Sequence, residues 1–267
     1  MQYIPDIQWH KMTHSNFILT PISSLILEAQ TALKLQPMVM ENVAISEYIM
    51  QTIFLKMTGF QEQKCKCVNW ELATDDYEFR YEAYGDRGKY KIGEGSNWED
   101  KCRIFKGLQN QLLKEKKDIE KDISKETIKS TLKTTKKAIK DLYLSCSLMK
   151  EYAREYIIFE SVCDQVVREC LHPELSDIFG NQQIEIVHNE KLTLTEMYKD
   201  YVYKHRNRCA HNLLSYQENR PTMNTMSSLE MAMNNYFIRF LVIALIDDEM
   251  RLLYELYNQN RQQLFFI

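Results

Sequence analysis

The densest run of chemically capable side chains is Lys204-His205-Arg206-Asn207-Arg208-Cys209-Ala210-His211. Three cations and two imidazoles within eight residues suit a meeting with negative charge better than a packing surface. On a helix Asn207 and His211, four apart, share a face, and Arg208 lies three before His211 on a neighbouring line. Arg206 is offset from His211 by about 140° on an ideal helix, so spacing alone does not join those two. If the run ends a helix, the last carbonyls and the macrodipole favour protonated His211, and the raised imidazole pKa suits a general acid near neutral pH. RNA cleavage by attack of the 2'-hydroxyl needs a base, an acid and positive charge on the transition state, with no metal once those groups are in place. The plainer alternative is a basic helix end that only complements its own dipole.

Arg206-Asn207-x-x-Ala210-His211 resembles the signature of the HEPN superfamily of ribonucleases, an Arg followed by a polar residue and, after a short helical spacer, a His. The resemblance is strong over about ten residues; elsewhere it rests on helical order. The motif's place late in the chain, before one long apolar helix, is similar to abortive-infection-like members. The resemblance implies an α-helical bundle that dimerises so that two motifs face a shared cleft, and a metal-independent endoribonuclease of a toxin, host-defence or RNA-processing system. It implies that His211 is the acid/base, that Arg206 binds the scissile phosphate and that Asn207 orients His211 or the phosphate. Lys204, His205 and Arg208 would be accessory RNA-binding residues. A different class of reading stays open beside it: a non-catalytic module that holds RNA, a nucleotide or a protein partner with the same basic cluster.

Other chemistry is sparse. P-loop, GxGxxG, HExxH and GxSxG patterns are absent, and no cofactor or metal is expected. The seven cysteines include one close pair, Cys65 and Cys67, with no second pair to complete a zinc site. An odd count without CxxC spacing points to reduced thiols in a cytoplasm. No secretory pattern opens the chain, and a net charge of -3 gives no bulk attraction to nucleic acid, so any such contact must be local.

The elements that must position the cluster are predominantly helices. In 267 residues there are only 7 Gly and 5 Pro, with 45% hydrophobic residues, which favours long uninterrupted elements around a core. Apolar spacing predicts helices over 21–35, 41–57, 146–170, 194–211 and 227–257, with Thr193 or Thr195 as cap of the fourth. The run Phe237 to Ile246 is too short to span a membrane and reads as a buried helix. Asp247, Asp248 and Glu249 after it, and Glu47 within the second helix, are expected to face solvent, or else to pair with Arg206 or Arg208. Tyr77, Phe79, Tyr81 and Ala83 alternate with charged residues, and Gly85-Asp86-Arg87-Gly88 follows, which predicts a β-hairpin over 76–92. Its tyrosines Tyr77, Tyr81, Tyr84 and Tyr90 would pack on a helix or stack on bases.

Residues 127–140 carry five lysines and no acid, with a narrow apolar stripe, which predicts an exposed helical arm. Lys133, Lys136 and Lys137 would either contact an RNA backbone or form a plain solvated face. The expected organisation is one mainly α, HEPN-type helical domain over 1–267, with a β-hairpin insertion at 62–94 and a charged helical arm at 97–143. The expected partners are RNA, a second copy of the chain, and an antitoxin or defence-system protein, with no membrane contact.

Overall fold

The computed structural model of the chain describes residues 13–34, 43–84, 95–114, 125–145, 152–169, 183–187, 190–211 and 233–264. The chain is a mainly α-helical bundle. In order come α1 (His14–Leu19), α2 (Ser24–Lys34), α3 (Val43–Asp75), α4 (Tyr77–Tyr84), α5 (Trp98–Lys114), α6 (Lys125–Ser145) and α7 (Ala153–Glu169). A short hairpin follows, β1 (Gln183–Val187) and β2 (Glu190–Thr193), then α8 (Leu194–Glu196), a π-helix (Met197–Tyr203), α9 (Lys204–His211) and α10 (Tyr236–Leu264).

The core forms around α10, which packs against α1, α3, α5, α6, α7 and the π-helix. As the apolar run Phe237 to Ile246 suggests, every residue of it is buried, Arg239 included. Asn235 starts the helix by accepting from the backbone N–H of Phe237 at 2.9 Å, while its amide donates to the Glu155 carbonyl on α7 at 2.7 Å. One hydrophobic cluster draws on every helix from α1 to α10 that carries described side chains in the interior, among them Ile18, Phe54, Phe105, Leu142, Phe159, Met197 and Phe240.

The acids after the apolar run do not face solvent. Asp247 is fully buried, and both its carboxylate oxygens accept from Lys64 Nζ on α3, at 2.8 and 2.9 Å. Its Oδ2 also accepts from the backbone N–H of Ile22, 3.0 Å away. Asp248 pairs with Arg251 one turn on at 3.2 Å, and both carboxylate oxygens of buried Glu249 lack a hydrogen-bond partner among the described residues. Among those residues the acids therefore pair within the core or not at all, and neither Arg206 nor Arg208 is their partner. The side chain of Glu47 lies outside the described residues.

The hairpin expected at 76–92 is replaced by helix in its described part. Asp76 caps α4, its Oδ1 accepting from the N–H groups of Glu78 and Phe79 at 2.8 and 3.1 Å, and the alternating aromatics take helical places. Of the described rings only Phe79 turns inward, towards Leu72 and Gly107, where a Cβ on the glycine would stand 2.9 Å from the Phe79 ring and 3.1 Å from Leu72. Period two in the sequence arose from one inward and two outward rings, not from a pleated strand. Residues 85–94, with the predicted turn and Tyr90, lie outside the described residues, as does the Tyr84 side chain. The 62–94 insertion boundary is also overturned, since 62–75 continue α3 and bury Cys65, Val68 and Leu72 in the core. The antiparallel hairpin that does form pairs Gln183 with Thr193 and Ile184 with Leu192.

In its described part the 97–143 segment is likewise no free arm. Helix α5 buries Trp98, Ile104, Phe105, Leu108 and Leu112. Helix α6 buries Leu132, Thr135, Ala138, Ile139 and Leu142 while packing on α2, α7 and α10. A narrow apolar stripe sufficed because each helix needs only one covered side. No helix among the described residues is long and apolar enough to cross a membrane.

Candidate basic site at the end of α9

Helix α9 continues from a well-defined start. Thr193 accepts from the backbone N–H of Glu196 at 3.2 Å, and the Glu196 carboxylate accepts from the backbone N–H of Thr193 at 2.7 Å, a reciprocal cap. The next seven residues form a π-helix, whose wider turn rotates everything after it relative to a regular α-helix. The turn is held from α10: Arg239, 2% exposed, donates through Nε to the Tyr201 carbonyl at 2.9 Å and bonds Asn234 through its other nitrogen. Its guanidinium also lies over the Tyr236 ring, 5.3 Å from the centroid.

The consequence for the cluster is a split between adjacent residues. His205 faces inward, its ring 5.0 Å from that of Phe54 on α3 and 5.4 Å from that of Tyr236 on α10. Its Nε2 lies 3.3 Å from the Tyr236 hydroxyl and 3.5 Å from the Cys209 thiol. Burial first, then the neighbouring Arg239 and Arg208 cations, pushes the imidazole pKa down to about 2. His205 is thus a neutral packing residue at physiological pH, not the accessory RNA-binding residue that the resemblance implied.

Arg206 turns the other way, to the α3 surface, with its side chain 26% exposed. One guanidinium nitrogen reaches both Glu62 oxygens, at 3.1 and 3.2 Å, and another donates to the Asn207 carboxamide oxygen at 3.1 Å. The expected phosphate ligand is therefore already ion-paired, and Asn207 accepts from Arg206. Lys204 is exposed and pairs with Asp200 at 2.6 Å, and Arg208 is exposed. His211 is the last residue of α9; its side chain lies outside the described residues, so the Arg206–His211 arrangement does too.

The lysines of α6 belong to another element. Lys133 and Lys137 are exposed, and Lys136 pairs with Asp164 of α7 at 2.6 Å. Sequence reasoning missed Glu62, which lies 144 residues from Arg206, and Arg239, although a lone guanidinium within a buried run had to find partners. Among the described residues no group of three or more His, Cys, Asp or Glu side chains is arranged to hold a metal ion, and Cys65, Cys67, Cys102, Cys163 and Cys209 form no disulfide there. Set against known proteins, the chain matches no family model, no curated protein and no solved structure.

Proposed function

We propose that the chain is a metal-independent endoribonuclease of HEPN type that cuts RNA at a composite site made by two copies of the α9 motif. The observation that carries the reading is Arg206 itself, a guanidinium at a half-open surface, fixed by Glu62 and Asn207 on the helix that His211 ends. A fixed guanidinium is what a developing phosphorane charge requires, because it needs no reorganisation during reaction. A protonated imidazole at a helix C-terminus can donate to the departing 5'-oxygen, while a second base accepts the 2'-hydroxyl proton. The 2'-oxygen forms a bond to phosphorus, the bond to the 5'-oxygen breaks, and the products carry a 2',3'-cyclic phosphate and a 5'-hydroxyl. Arg208 and Lys204 would add charge beside the cleft, with His205 a scaffold. In the cell this is the chemistry of a cytoplasmic toxin or antiphage effector, controlled by an antitoxin or a defence-system partner.

The test is cleavage of labelled RNA in EDTA by the purified chain. His211→Ala and Arg206→Ala are each expected to abolish it while melting temperature and oligomeric mass persist. Cleavage that needs added magnesium and stops in EDTA would overturn the chemistry.

One observation favours a second reading, a non-catalytic RNA-, nucleotide- or protein-binding module. The charge of Arg206 is already matched by Glu62, which weakens its pull on a phosphate. RNA bound but left intact, with both alanine variants changing affinity equally, is the result expected of such a module.

A further inference from the structure

We infer that the exposed aromatic stripe on α3 and α4, flanked on its Arg206 side by Lys66 and Arg80, is a track for single-stranded RNA leading away from the α9 site. This rests on the ribonuclease reading for its substrate, and it adds where that substrate lies.

Trp70, Tyr77 and Tyr81 are 66%, 69% and 57% exposed, an unusual concentration of large rings in water. Tyr77 and Tyr81, four apart, share one face of α4, and Trp70 stands on α3 before the break at Asp76. There Asp76 ends one helix, its N–H donating to the Leu72 carbonyl, and caps the next, its carbonyl accepting from the N–H of Arg80, each at 2.9 Å. Within α3 Trp70 lies about 160° from Leu72, and within α4 Tyr77 and Tyr81 each lie about 160° from Phe79. Leu72 and Phe79 meet over Gly107, which fixes the inward side of both helices and leaves the three rings on the outward side.

The charges sort by flank. On α3 Lys66 lies about 40° and Glu62 about 80° to one side of Trp70, and on α4 Arg80 lies about 60° to the same hand of Tyr77. Arg206 sits on Glu62, so the motif opens onto this basic flank. The exposed acids Glu78 and Glu82 lie to the opposite hand, about 100° from Tyr77 and Tyr81 respectively. Glu78 is also met by Lys114 of α5 at 3.4 Å. A polyanion fits one side of the rings and is repelled from the other.

The rings are arranged to accept bases. Tyr77 and Tyr81 are stacked, with centroids 6.5 Å apart and planes 20° from parallel, and the Arg80 guanidinium lies 5.2 Å from the Tyr77 centroid. From Glu62 to Asp75 α3 alone covers about 20 Å, enough for several nucleotides with the backbone over Lys66 and on to Arg80. Only unpaired bases can offer their faces to such rings, so the ligand is single-stranded.

The test is fluorescence anisotropy with a labelled single-stranded RNA of about twelve nucleotides, in a His211→Ala background that keeps the RNA whole. Trp70→Ala and Tyr77→Ala/Tyr81→Ala should each weaken binding about five- to hundredfold, the range for a lost base stack, while Trp70→Phe retains most of the affinity. Lys66→Ala and Arg80→Ala should each lower the salt slope of log affinity by about 0.7. Glu78→Gln should not weaken binding. Unchanged affinity in Trp70→Ala overturns the track, as does equal Trp70-dependence for duplex RNA. So does a loss of oligomeric mass in Trp70→Ala with affinity intact, which would make the stripe a contact between copies. The two readings fail separately. RNA held through Trp70 but never cut by the unmodified chain removes the nuclease and keeps the track; RNA cut through His211 with no dependence on Trp70 does the reverse.

Discussion

A guanidinium that is to meet a phosphodiester must be held still without being neutralised, and Arg206 stands between those demands. Glu62 supplies the hold at 3.1 Å, and its 12% exposed carboxylate supplies the counter-charge. Glu62→Gln keeps a hydrogen-bond acceptor and removes the charge, so the two effects separate. Under the ribonuclease reading, turnover at saturating RNA should fall about ten- to hundredfold as the guanidinium loses its fixed geometry, while RNA affinity stays level or rises. Turnover that rises together with affinity would mean that Glu62 only screens Arg206. At this scale the cluster was legible because its cations and imidazoles adjoin one another in sequence. The partner was not, since nothing local ties residue 62 to residue 206. Nor could spacing tell His205 from Arg206, because the sequence does not announce a π-helix, and that turn decides which neighbour faces Phe54 and which faces Glu62.

Among the elements, long amphipathic helices were legible and short ones with special neighbours were not. Helices α7 and α9 and the start of α8 at Thr193 follow from apolar spacing and capping chemistry. Helix α4 did not, because its alternation of aromatic and charged residues fits two periods, and only Gly107 on a distant helix makes room for Phe79. The π-helix depends on another remote group, Arg239, whose Nε satisfies a Tyr201 carbonyl that the wider turn presents to it. Arg239→Met should take this guanidinium donor away from that carbonyl and destabilise the fold by about 1–3 kcal/mol. The local signature matters more than the total. Hydrogen exchange at the backbone amides of Met197 to Arg206 should accelerate beyond that of α5, and Arg239→Lys, which retains a cation without the Nε donor, should restore only part of the protection. Exchange that rises equally in α5 would show that Arg239 serves the core in general.

For the molecule as a whole, one buried helix carries the core and also three consecutive acids, an arrangement that the apolar run before them concealed. Burial works against both charges of the Lys64–Asp247 pair, lowering the lysine pKa and raising that of the carboxyl, while the two-oxygen contact opposes the shift. Lys64→Met should therefore cost about 3–5 kcal/mol by stranding a carboxylate, whereas Lys64→Met with Asp247→Leu should recover most of the loss or exceed the original stability. Glu249 differs, because it is buried with both oxygens unpartnered among the described residues. Burial first, then Asp248, raises its pKa well above the usual carboxyl range. With the folded pKa above the unfolded value of about 4.3, the folded state holds the proton more tightly, so this group's contribution is fullest at low pH and is lost as pH rises. Glu249→Met should consequently stabilise the chain, by about 1–3 kcal/mol, and raise the melting temperature more at pH 7.5 than at pH 4.5. Asp248, raised by burial and by Asp247 to about 7, remains in that variant and leaves a residual slope of the same sign up to that pH. A gain equal at both pH values would show that the Glu249 carboxyl does not ionise differently in the two states. A loss at pH 7.5 would show that the buried carboxylate answers a charge supplied from outside this set of helices.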